Sequence, residues 1–145
     1  MSATMNLKGI RILIVDDSHV IRHCAQTFLT PAGCEVKAAV DGFDALAKIV
    51  DVCPDVIFLD ALMPRLDGFR TCSLIKNNAR YKHIPIVMLS ARDSLFDRVR
   101  GRLTGATDYM TKPFTREKLL EAVKVNSPQP VRHTEPSPSL DFCPA

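Results

Sequence analysis

Five side chains carry most of the chemistry this sequence offers: Asp16 and Asp17 side by side, then Asp60, Ser90 and Lys112. Each stands where a short apolar run stops or just beyond it. Three carboxylates gathered in one pocket repel one another, by about 4 kcal/mol for each close pair at an effective dielectric constant near 20. Such a cluster therefore needs positive charge. Lys112 supplies one unit, and a hard divalent cation bound through oxygens supplies more. Mg2+ prefers one or two carboxylates completed by water and phosphate oxygens, so it suits this inventory. A pocket of that kind admits a phosphoryl group. Asp60 is then the nucleophile, because carboxylates form aspartyl-phosphate intermediates. The metal and Lys112 offset charge on the transferring group, and Ser90 donates a hydrogen bond to one of its oxygens.

That chemistry requires elements that bring the five residues to one place. Short runs rich in β-branched residues at 10–15, 35–39, 56–59, 86–89 and 107–110 read as five strands. The segments between them have helical spacing. Ser18 is placed to cap the first helix, Ile21, Cys24, Ala25 and Phe28 form its apolar stripe, and Gly33 lies beyond its end. Further stripes are Phe43, Leu46, Ala47 and Val50; Phe69, Cys72 and Ile75; Leu95, Val99 and Leu103; and Leu119, Leu120 and Val123. Strict alternation of strand and helix implies an α/β fold, a doubly wound parallel sheet covered by helices on both faces. Ligands bind such sheets beyond the carboxyl ends of the strands, where strand order reverses. In the flavodoxin-like order 2-1-3-4-5 that point lies between strands one and three, beside Asp16, Asp17 and Asp60.

Composition bounds the answer from outside. The chain has 145 residues, 46% hydrophobic and 24% charged, the profile of one globular domain. Its apolar runs, such as 56–59 and 86–89, are four residues long, against about 20 for a membrane span. No secretion signal is read at the N-terminus, so the expected location is cytoplasmic. A formal charge of +3, with dispersed basic residues, gives no electrostatic reason for general nucleic-acid binding. The five cysteines, Cys24, Cys34, Cys53, Cys72 and Cys143, form no C-x-x-C pair and read as reduced packing residues. His19, His23, His83 and His133 lack H-E-x-x-H spacing and read as surface or packing side chains. Residues 126–145 hold five of the ten prolines and three serines. This segment is expected to be a flexible tail following a domain at 1–125, with Leu140, Asp141 and Phe142 as its one anchor-like feature.

Four ordered motifs, ILIVDDS at 12–18, VIFLDALMPRLDG at 56–68, IPIVMLSA at 84–91 and GATDYMTKPF at 105–114, resemble the receiver domain of two-component response regulators. The strand order above is the one this resemblance implies. GFDALAKI at 42–49, MPRLDGFRTCSLIKNN at 63–78 and SLFDRVRGRLTGATDYMTKPF at 94–114 are similar to the single-domain regulators of the type IV pilus chemosensory pathway that controls twitching motility. The resemblance implies that Asp60 takes a phosphoryl group from a phosphohistidine on a sensor histidine kinase. It implies that Asp17, Asp60 and the backbone carbonyl of Leu62 hold Mg2+, with Asp16 acting mainly through water. Ser90 and Lys112 would contact the phosphoryl group, and Tyr109 would turn inward as Ser90 shifts. The Lys112–Pro113 peptide would be cis. The output face would be helix four, strand five and helix five, bearing Arg98, Arg102, Arg116 and Lys118, and its partner a motility protein, including the pilus machinery.

Each assignment has a plainer rival. An Asp-Asp pair after a strand also serves as a helix cap. Ser90 and Tyr109 also suit ordinary strand ends, the basic residues a solvated helix face, and the Met63 to Gly68 segment, with Pro64 and Gly68, a structural turn. At the level of function, the alternatives to a switch are a pseudo-receiver scaffold and an aspartate-based phosphatase. The phosphatase lacks a general acid two residues after Asp60, where Leu62 stands. No helix-turn-helix pattern is read after Val125, so direct DNA binding is not expected. Leu62 and Arg92, each two residues beyond a site residue, offer no acceptor to orient attacking water, which predicts a long-lived phosphorylated state without an outside phosphatase. Gly101 in mid-helix predicts a loosely held helix four.

Overall fold

Five apolar segments pair in parallel as β1 (Arg11–Val15), β2 (Glu35–Ala39), β3 (Val56–Asp60), β4 (Ile86–Ser90) and β5 (Asp108–Thr111). In this computed structural model, which describes residues 7–91 and 95–127, their order is β2-β1-β3-β4-β5. The crossovers are α1 (His19–Leu29), α2 (Gly42–Val52), α3 (Gly68–Lys76) and α4 (Leu95–Leu103), and α5 (Arg116–Asn126) follows β5. The expected doubly wound sheet is thus observed.

The three inner strands explain why the sequence showed continuous apolar runs rather than alternation: both their faces are covered. Ile12, Ile14, Phe58 and Leu89 point to the side of α1 and α5, where they meet Ala25, Leu29, Leu119 and Val123. Leu13, Val15, Leu59 and Met88 point to the other side, against Ala45, Ile49, Phe69, Cys72 and Ile75. Ser18, Asp41, Asp67 and Thr115 cap α1, α2, α3 and α5, each accepting a hydrogen bond from a backbone N–H three residues on. Pro31 has no N–H with which to continue α1. Gly33, expected just past α1, instead closes a short 3-10 turn over Thr30–Ala32.

Two apolar stripes do not point inward as their spacing suggested. In α2 the buried residues are Gly42, Ala45 and Ile49, while Phe43 and Val50 are exposed. The helix is rolled because its first residue packs with no room for a side chain: a Cβ at Gly42 would lie 2.2 Å from Thr71 Oγ1 and 2.9 Å from the Leu66 carbonyl oxygen. In α4 the inward face is Asp97 and Gly101, and the stripe of Leu95, Val99 and Leu103 faces solvent together with Phe96. Periodicity shows that apolar residues share a helix face; it does not say that the face is covered. Arg98 lies over the Tyr109 ring at 4.9 Å and Arg100 over the Phe69 ring at 4.3 Å, so long basic side chains flank this helix instead of a core seam.

Cys24, Cys34 and Cys72 are free thiols. Cys53 departs from the reading of all five as reduced, being disulfide-bonded. Helix α5 reaches Asn126, whose amide donates to the Ala122 carbonyl, and the Ser127 N–H bonds the Val123 carbonyl. These two residues, the first of the compositionally distinct segment, therefore close α5. The rest of that segment, with Cys143, His133 and the Leu140 to Phe142 anchor, lies outside the described residues, as does Arg92.

Candidate functional site

The carboxyl ends of β1, β3 and β4 lie at one edge of the sheet, and the chain turns there hold the acidic residues. Asp16 follows β1; its N–H bonds the Ala39 carbonyl at 3.1 Å, which continues the β1 to β2 ladder by one residue. The side chain is fully buried, with Oδ1 accepting from the Ser18 N–H at 2.9 Å and Oδ2 from Lys112 Nζ at 3.1 Å. Capping of α1 is done by Ser18, so the acidic pair is left for other work. Asp17 is exposed. Asp60 is the last residue of β3, also buried, and its Oδ1 accepts from Lys112 Nζ at 3.2 Å and from the Leu62 N–H at 3.4 Å.

Lys112 reaches the cluster because β5 pairs with β4. Ser90 stands opposite Thr111, and the Lys112 N–H donates to the Ser90 carbonyl at 2.7 Å. The next peptide, Lys112–Pro113, is cis. Ser90 ends β4, buried, beside the strand that ends in Asp60. The structure thus brings together Asp16, Asp17, Asp60 and Lys112, with Ser90 on the adjoining strand end. Tyr109 lies apart from the carboxylates, three residues before Lys112, with its ring against the inner face of α4 near Gly101. Leu62 turns its side chain to solvent.

Burial and the neighbouring Asp16 push Asp60 up to about 7, against the opposing pull of Lys112 and the Leu62 N–H. For Lys112, burial acts downward, but the Asp16 and Asp60 carboxylates outweigh it and hold the ammonium above its ordinary range. Oxygen ligands from Asp16, Asp17 and Asp60 lie within 4.8 Å of one another. Two buried carboxylates share a single ammonium, and the third faces solvent, so the cluster keeps a surplus of negative charge and an open side. That set is all oxygen, without Cys or His, and so fits a hard divalent cation rather than a soft one.

Two bracing residues went unread in the sequence, and a third, Gly68, was read only as part of a turn. Arg65, in the loop after Asp60, pairs with Asp41, the cap of α2. Asp41 before a glycine and a helical segment was a readable cap signal; its partner 24 residues away was not. Gly68 carries a spatial constraint of its own, since a Cβ there would fall 2.0 Å from the Asp60 carbonyl oxygen.

Residues 12–124 match the response regulator receiver domain family. Among characterised relatives, Protein PilG of Pseudomonas aeruginosa is 52% identical over 120 residues, covering 83% of this chain and 89% of that one. The DNA-binding dual master transcriptional regulator RpaA of Synechocystis is 38% identical over 131 residues; the match takes in 86% of this chain but only 54% of that protein. Among solved structures, Vibrio cholerae chemotaxis protein CheY4 superposes with a TM-score of 0.78 at 37% identity, over 81% of this chain and 98% of that one.

Proposed function

Because the chain belongs to the response regulator receiver domain family, we propose that it is a phosphorylation switch in which Asp60 accepts a phosphoryl group from a phosphohistidine of a sensor histidine kinase. The observation that carries this reading is the convergence of Asp16, Asp17 and Asp60 within 4.8 Å, with the Lys112 ammonium on two of them. An Asp60 carboxylate oxygen attacks phosphorus, the P–N bond breaks, and the imidazole leaves with the electron pair. Asp17, Asp60 and the Leu62 carbonyl are the residues that would hold Mg2+, with Asp16 acting through water. Bound there, the cation would neutralise phosphoryl oxygens. Lys112 holds a second positive charge beside the same oxygens, and Ser90 donates to one of them.

The readout runs through β5 and α4. Ser90 and Lys112 are joined by a backbone hydrogen bond, and Tyr109 stands three residues before Lys112 against α4. A shift of Ser90 toward the phosphoryl group would draw the Tyr109 ring inward and move α4. On that face a groove of about 320 Å³ is lined by Leu95, Arg98, Val99, Arg102 and Tyr109, and Lys118 on α5 borders its neighbour. We place the partner there. Similarity to PilG over most of both chains supports a place in a pilus chemosensory pathway driving twitching motility, acting in the cytoplasm on a motility protein or the pilus machinery. Among the described residues no helix is long and apolar enough to cross a membrane. We take the receiver to extend from the N-terminal residues through the end of α5 at Asn126.

Incubation with a small acyl-phosphate donor and Mg2+, followed by intact mass, tests the reading. One phosphoryl group is expected on the wild type and none on Asp60→Asn. Continuous turnover of donor by the wild type without a lasting adduct, lost in Asp60→Asn, would indicate an aspartate-based phosphatase, and absence of both adduct and turnover a pseudo-receiver scaffold.

A further inference from the structure

The loop joining β3 to α3 is held from the side by a residue that the carboxylate chemistry does not use. Arg65 has a backbone φ of 70°, in the left-handed region where a side chain is strained and glycine is not. Its guanidinium nevertheless reaches across to Asp41 Oδ2 and lies 5.7 Å from the centroid of the Phe43 ring. Asp41 is buried; its other oxygen, Oδ1, accepts the Asp44 N–H at 2.8 Å and so caps α2. That hydrogen bond first, and then Arg65, holds the Asp41 carboxyl below its usual range. The loop's two ends are tied separately, by the Ala61 N–H on the Leu89 carbonyl at 2.7 Å and the Gly68 N–H on the Ala61 carbonyl at 2.9 Å. Between them, Leu62 has an exposed side chain and a long 3.4 Å hydrogen bond to Asp60, so its own side chain does not fix its backbone, while its neighbours Ala61 and Met63 are buried in the core.

We infer that Arg65 is a positioning residue for the cation site, anchoring the 61–67 loop to the cap of α2 through Asp41 and thereby setting where the Leu62 backbone stands relative to Asp60. The inference rests on the phosphoacceptor reading above. Exposed for about two-thirds of its side chain and strained in its backbone, Arg65 is a costly way to fill a turn, and its contacts all lead to α2. Removing it relaxes the loop without touching a carboxylate of the cluster.

The test is calorimetric titration of the apo chain with MgCl2, alongside phosphorylation by a small acyl-phosphate donor across a range of Mg2+. Arg65→Ala and Arg65→Gly should bind Mg2+ about tenfold more weakly, the effect usual for outer-shell supports of a metal site. Their phosphorylation rate at saturating Mg2+ should stay within about twofold of wild type, and Arg65→Lys should recover most of the affinity. Asp41→Asn keeps a good helix cap while removing the charge that Arg65 meets. It should weaken Mg2+ binding similarly, with little further loss when combined with Arg65→Ala. Unchanged Mg2+ affinity in these variants, or a lower saturating rate at unchanged affinity, would overturn the assignment. If the wild type itself neither binds Mg2+ nor gains a phosphoryl group, the phosphoacceptor reading fails and this one with it; if the wild type does both and the variants match it, the role of Arg65 alone is lost.

Discussion

Asp16 and Lys112 lie 96 residues apart in the chain, yet Oδ2 of the one and Nζ of the other meet at 3.1 Å with the Asp16 side chain fully buried. The same ammonium lies 3.2 Å from Asp60. A buried charge left without its partner is strongly destabilising, by about 3–5 kcal/mol. Lys112→Ala should therefore lower the stability of the metal-free chain by an amount of that order in urea unfolding. It also removes the competitor of a divalent cation for these oxygens, so the rise in Tm on adding MgCl2 should be larger in the variant than in the wild type. An equal or smaller rise would mean that the ammonium and the cation do not share the pocket.

The raised Asp60 makes a second prediction with a definite sign. An unfolded chain loses this proton near pH 3.9, whereas the folded chain keeps it to about 7. Across that window the native state binds the extra proton, so the contribution of Asp60 to stability falls as pH rises from about 4 to about 7 and is flat above. Asp60→Asn should thus match the wild type near pH 4 and exceed it by pH 8, with a Tm gain of roughly 5 °C in the absence of divalent cations. Thermal melts across that range decide the matter; a variant less stable than wild type at pH 8 would show that burial and Asp16 do not strain the carboxylate.

Most of the site was legible because its residues terminate apolar runs, and in a parallel sheet the ends of neighbouring strands are brought to one edge by the ladder itself. Asp60 and Ser90 proved to be the last residues of β3 and β4. What could not be read was the roll of the surface helices. Phe43 and Val50 in α2, and Leu95, Val99 and Leu103 in α4, keep helical spacing but are exposed. In α2 the orientation follows from the close approach at Gly42, a three-dimensional fact that periodicity does not encode. The Arg65 to Asp41 pair was hidden for a related reason: it joins two loops with no local signal linking them.

Leu62 carries a kinetic prediction. Its side chain is exposed two residues beyond Asp60, the proposed phosphoacceptor, and has no acceptor to orient water. Replacing Leu62 with Asn, together with Arg92→Glu, should make the phosphorylated state shorter-lived than in the wild type, read by the decay of the intact-mass adduct after removal of donor. A double variant that decays no faster would show that side chains at these positions do not limit attack by water.

Helix α4 gives the last prediction. A Cβ built on Gly101 would sit 3.9 Å from Ala106 Cβ, Phe69 Cε1 and Tyr109 Cδ2, which is ordinary contact rather than overlap. The glycine therefore costs helix stability without being required by space, at about 0.5–1 kcal/mol relative to alanine. Gly101→Ala should raise Tm by a few degrees, about 2–5 °C, and should tighten α4 against Tyr109. Leu103→Ser, on the outward stripe, should change stability by less than about 0.5 kcal/mol, as exposed positions do, whereas Phe69→Ala, buried beneath the same helix, should cost about 3–5 kcal/mol. Denaturant unfolding of the three variants separates the inward face of α4 from the outward one. A large loss at Leu103, or a loss at Gly101→Ala, would mean that the helix packs by its apolar stripe after all.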